Sequence, residues 1–189
     1  MSTKEIINRF LRILYNPVLG WLRYDSDKIS FREIISPFFI LTLVFLFIAR
    51  FVGKTLAYLS VTDAKYIILF AAVSIIIDLL FFLLVVFLIN YLLPFFNIKK
   101  SKSKVAALIY TSLVPFYMGI ILMNLFPGLF FLGLISLYAF FVLYWGVVNL
   151  LKPAQSDVIV IYSIISLILI GVYFILNFAL VYPFFDFVF

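Results

Sequence analysis

Cysteine and histidine are absent from this 189-residue chain, and charged residues make up only 12% of it. Without cysteine there is no disulfide framework and no thiolate nucleophile. Without histidine there is no imidazole base, and the two absences together remove the usual zinc and haem ligands. Ser36, Ser74, Ser112, Ser136, Ser163 and Ser166 therefore have no imidazole to activate them, and paired carboxylates at helical spacing are missing. The sequence is expected to encode neither an enzyme nor a cofactor-binding protein. A soluble domain is about half apolar and about a quarter charged, whereas 67% of this chain is apolar. One core cannot hide that excess, so the expected solvent is lipid.

What is present is a series of long apolar runs. Residues 37–58 form the first, entered through Ser36-Pro37 and interrupted by Arg50 and Lys54. The second covers about 66–93 and continues apolar to Asn97, a length of ~48 Å against a ~30 Å hydrocarbon core, so it must tilt, break near Pro94 or project. From Val105 to Leu151 no residue is charged. A helix of that length would overshoot a bilayer twofold, and Asn124-Leu125-Phe126-Pro127-Gly128 supplies a turn that divides it into spans at 105–125 and 129–151. Lys152 to Asp157 is a polar loop, with Ser156 as a candidate N-cap, before a fifth span at 158–181. Continuous rather than alternating apolarity excludes a β-barrel. The expected fold is an all-α integral membrane protein: a single five-helix transmembrane domain over 37–189, preceded by a segment over 1–36 with an amphipathic interfacial helix.

That first helix is read from Ile6, Ile7, Phe10, Leu11, Ile13 and Leu14 on one face against Lys4, Glu5, Asn8, Arg9 and Arg12 on the other. Asn16-Pro17 should end it. It is too short and charged to span, and either lies on the membrane surface or packs beneath the bundle. The first thirty positions lack the uninterrupted apolar run and small-residue cleavage site of a signal peptide, and Glu5, Asp25 and Asp27 disfavour a mitochondrial presequence.

Five spans place the connecting segments alternately on two sides. One side collects Lys4, Arg9, Arg12, Arg23, Lys28, Arg32, Lys99, Lys100, Lys102, Lys104 and Lys152; the other has Lys54 and Lys65. The positive-inside rule puts the N-terminus in the cytoplasm and the C-terminus outside. The net charge of +6 then reflects topology and anionic headgroups, with no nucleic-acid partner implied. The Lys99 to Lys104 cluster is either a topogenic signal or a docking patch for an acidic partner. Tyr15, Trp21, Tyr24, Tyr91, Tyr144, Trp145 and Tyr182 fall near span ends, where aromatic rings anchor at the interface.

Arg50 and Asp78 are the ionisable residues placed well inside apolar runs, and such residues are candidate functional sites. Counted from the outer boundary, Arg50 lies ~12 Å deep and Asp78 ~18 Å, an offset within reach of an arginine side chain. They are expected to pair. The open alternatives are a structural link, a proton or substrate role for Asp78, or no contact between the two.

Several segments resemble the Yip1 family of five-span membrane proteins in its prokaryotic branch. Asn16-Pro17 with Trp21 is similar to the element before its first span, and Glu33-Ile34-Ile35-Ser36-Pro37 matches the placement of the acidic, proline-containing span entry of eukaryotic members, with Ile35 and Ser36 replacing their usual Tyr and Gly. Tyr110-Thr111-Ser112-Leu113-Val114-Pro115 resembles the family's Tyr-Ser-x-x-Pro region with an extra Thr111. The stretch from Leu137 and Tyr138 through Tyr144, Trp145 and Gly146 to Lys152-Pro153 resembles the closing signature of bacterial members. Pro127 and Gly128 complete the positions singled out. The resemblance implies a multi-pass protein of the prokaryotic cytoplasmic (inner) membrane with an internal N-terminus, acting as a scaffold or adaptor in membrane organisation or protein trafficking. It brings small Rab-type GTPases or membrane proteins as partners by analogy, and no catalytic residues. A homo-oligomer is a further expectation, and a small permease, ion pathway or lipid-moving protein built on Asp78 is the alternative.

Overall fold

A computed structural model describes residues 8, 11–24, 39–58 and 63–181. Every regular element among them is helical, and five helices are long and apolar enough to cross a membrane. In chain order the elements are α1 (Pro17–Tyr24), α2 (Ile40–Tyr58), α3 (Ala64–Leu92), α4 (Lys102–Leu125), α5 (Tyr138–Gly146) and α6 (Val158–Leu176). A 3₁₀ run over Phe130–Leu137 and a π turn over Val147–Leu151 extend α5 at its two ends into one span.

Composition does not distinguish the faces of these helices; neighbours do. On α3, Phe70, Ser74, Ile77, Phe81, Val85 and Ile89 recur every three or four residues and are buried. The opposite face, with Ile68, Ile76, Leu80, Leu83 and Phe87, is equally apolar and exposed. Helix α6 buries a single stripe, Ile161, Ile165 and Leu169, and exposes Leu167, Ile170 and Phe174. A helix apolar on all sides but packed on one is built for a lipid surround. Helix α4 is the exception, buried on every side from Val105 to Leu113 because α2, α3 and α5 all pack on it. It is the axis of the bundle, and α6 lies outside against α3.

The ends of the helices follow local chemistry. Helix α3 runs unbroken to Leu92 and then tightens into a 3₁₀ turn over Leu93–Phe96 that contains Pro94. Asn97 adopts the left-handed conformation at φ 56°, its N–H donates to Pro94 O, and the Ile98 N–H donates to Leu93 O at 3.1 Å. This is a Schellman termination with Asn in the glycine position. Ser101 caps α4, its Oγ accepting from the Lys104 N–H, and its own N–H is held by Asn90 Oδ1 at 3.0 Å. The turn at Phe126 to Leu129 falls where the sequence puts it, closed by a Leu129 N–H to Phe126 O bond of 2.9 Å. At the far end of the fourth span Lys152 takes φ 50° and the chain leaves through Pro153.

Two expectations gain detail and two are corrected. Asn16-Pro17 ends the helical residues 11–15 but at once begins α1: Asn16 Oδ1 accepts from the Leu19 N–H at 3.2 Å and Pro17 occupies the first helical position. The fourth span is not one regular α-helix. Gly133, Ile135 and Ser136 are weak helix formers, and Ser136 donates through Oγ to Phe116 O at 3.2 Å, drawing the 3₁₀ run onto α4. A Cβ at Gly119 would overlap that Ser136 hydroxyl. Ser156 does not cap α6; its hydroxyl hydrogen-bonds to Asp157 Oδ1, and Asp157 occupies the cap position. Finally, Trp21 and Tyr24 are not lipid-facing anchors but buried residues, at 0% and 6% exposure.

Candidate functional site

Helices α2 and α3 are consecutive and antiparallel, and each turns one stripe inward. On α2 the stripe is Leu46, Ala49, Arg50 and Gly53; on α3 it is Ser74, Ile77, Asp78 and Phe81. The stripes face each other, and Arg50 Nη1 donates to Asp78 Oδ2 at 2.5 Å, with the side chains 9% and 2% exposed. The expected pairing of the two charges is therefore the observed geometry. Burying either charge alone would cost several kcal/mol, and each offsets part of that penalty for the other.

Two tyrosines not singled out from sequence stand near this pair. Tyr117 on α4 is fully buried, and Tyr173 on α6 is largely so; both lie within electrostatic range of Asp78 and Arg50. The signal available in the sequence was their position, mid-span rather than at a span end. Tyr173 is clasped edge-on by Phe81 at 5.5 Å and Phe116 at 5.0 Å. The hydroxyls of Thr111, Ser112 and Tyr117 are buried without a hydrogen-bond partner. All three residues lie on α4 within four positions of Pro115, whose missing N–H leaves the Thr111 carbonyl without its helical donor.

Beyond the aromatic clasp, a groove of about 320 Å³ lies between α4, α5 and α6. Its walls include Phe81, Phe116, Phe140, Leu143, Leu169 and Phe174. Ser112 also lines it, whereas Arg50 and Asp78 do not. Among the described residues no three His, Cys, Asp or Glu side chains come together to hold a metal ion.

Four of the other singled-out positions, Pro17, Trp21, Tyr138 and Gly146, meet at a second place, where the N-terminal segment packs on α5. Trp21 Nε1 donates to Val142 O at 3.0 Å and the Tyr138 hydroxyl donates to Leu14 O at 2.7 Å, contacts spanning more than 120 residues of chain. Gly146 provides the room: a Cβ there would strike Leu108 and the Trp21 ring. Pro17 is buried at the same junction. Tyr110 shares a 3.2 Å hydrogen bond with Thr42 and packs edge-on to Phe39, joining α2 to α4. Tyr144 packs edge-on to Tyr162, joining α5 to α6. Pro115 is buried inside α4; Pro127 and Gly128 form the exposed turn, and Lys152 the exposed span end. Pro37 lies outside the described residues.

The described residues define a class: an all-α bundle of five apolar helices, built as a multi-pass membrane protein, with a buried ion pair and a side groove. No protein-family model matches the chain, and no curated protein or solved structure is significantly similar to it.

Proposed function

We propose that this is a non-enzymatic, Yip1-like scaffold or adaptor of the prokaryotic cytoplasmic membrane, working through helix contacts inside the bilayer and through its basic cytoplasmic face. One observation carries this over transport: Arg50 and Asp78 satisfy each other within the bundle and do not line the groove, whose wall is almost wholly hydrocarbon. A conduit needs polar groups from several helices around a hydrated path. The junction of Pro17, Trp21, Tyr138 and Gly146 supports the Yip1-like reading, since it joins sequence segments that carry the resemblance. The uneven distribution of lysine and arginine supports the internal N-terminus.

The unpartnered hydroxyls of Thr111, Ser112 and Tyr117 favour the second reading, a proton path past Asp78. Proteoliposomes separate the two. With the scaffold, purified protein leaves an imposed proton gradient intact, while photocrosslinking from Phe174 in native membranes gives a discrete protein adduct. Dissipation of the gradient that disappears in Asp78→Asn would replace the scaffold with the conduit.

A further inference from the structure

At the lysine-rich end of the bundle, the terminus of α3, the following loop and the end of the fourth span enclose a pocket of about 380 Å³. Its lining is divided by chemistry. Leu93, Leu150 and Leu151 are buried and Ile98 is half-buried, and they form an apolar floor; Lys99, Lys100 and Lys104 are exposed around it. Residues 79–156 contain no Asp or Glu, so every charged side chain in the lining is a lysine. Lys99 and Lys100 sit in a loop held by the Schellman turn at Asn97 and by the Asn90 to Ser101 hydrogen bond, and Lys104 in the first turn of α4. Lys100 also rests over the Tyr91 ring, 5.6 Å from its centroid, at the edge of the apolar surface.

A cationic rim above a hydrocarbon floor recognises an amphiphilic anion. A free phosphate would use the lysines and leave the floor in water; a phospholipid fills both halves, with its phosphodiester among the ammonium groups and its acyl chain along Leu93 and Leu151. We propose that this pocket is a binding site for an anionic glycerophospholipid, selective for headgroup charge and placed in the leaflet on the lysine-rich side. The site requires that the bundle sit in a bilayer, and is independent of whether it acts there as scaffold or conduit.

The test uses the full chain in nanodiscs containing phosphatidylglycerol and phosphatidylcholine, released into native mass spectrometry. Phosphatidylglycerol should be retained over phosphatidylcholine by about tenfold or more, since each lysine near an anionic surface contributes about fivefold. Lys99→Gln with Lys104→Gln should remove that preference at unchanged helicity. Lys102→Gln, which lowers the charge of the same loop region outside the pocket, should keep it, and inorganic phosphate should not displace the lipid. Equal retention of the two lipids would overturn the site. Loss of preference in Lys102→Gln would reduce it to diffuse charge, and displacement by phosphate alone would make it a phosphate site.

Discussion

Arg50 and Asp78 show how much one residue's depth constrains its neighbours. An unpaired charge on the inward stripe of α2 or α3 has no water to turn to, so the two helices gain a fixed register from a single ion pair. Arg50→Ala and Asp78→Ala should each destabilise the purified protein by ~3–5 kcal/mol, and the double substitution by clearly less than their sum. Thermal melting in detergent measures this; additive losses would mean the charges do not stabilise each other. Asp78→Asn should also be harmful, because it leaves the Arg50 charge uncompensated. This pair was legible in the sequence, since two ionisable residues at similar depth on consecutive spans have few alternatives. The tyrosines beside it were not, because tyrosine is common in membrane proteins and its burial depends on which helix passes opposite. Trp21 differs from its expected role for the same reason: its place near a span end suits an interface anchor, and only the hydrogen bond to Val142 and the space at Gly146 reveal a buried one. Trp21→Phe should cost ~1 kcal/mol or more by leaving out that bond, and should loosen the N-terminal segment before the bundle, visible as earlier hydrogen exchange over residues 17–24.

At the level of elements, the spans and their boundaries follow from apolar length and turn chemistry, which is why Pro127-Gly128 and Lys152-Pro153 mark real ends. Internal helix geometry does not follow. Nothing in Phe130–Leu137 as a string separates a 3₁₀ run from an α-helix; the choice is made by Ser136 reaching Phe116 O beside Gly119. Gly119→Ala should force these segments apart and destabilise the bundle by ~1–3 kcal/mol, the usual cost of overpacking, measured by melting. The short α1 escaped the sequence reading because Asn16-Pro17 serves as both a stop and a start. Removing the start signal with Asn16→Ala should cost ~1 kcal/mol, again read by melting, with an unchanged melt excluding the cap as a stabilising feature.

For the whole molecule, fold class was legible because a chain so rich in apolar residues and so poor in charge has few soluble solutions, whereas the arrangement around a central α4 depends on packing that no single span encodes. Lipid-facing and inward-facing helix surfaces have nearly the same composition, so the groove and the lysine-rimmed pocket emerge only in three dimensions. Orientation links the proposed scaffold face and the proposed lipid site to one side of the membrane. The absence of native cysteine makes it directly measurable. Single cysteines at Ser2, Ser101 and Ser156 should resist an impermeant thiol reagent added outside intact cells and react only after permeabilisation, while cysteines at Ser60 and Asp186 should react at once. External labelling at Ser101 with protection at Ser60 would contradict the five-span, N-terminus-inside arrangement.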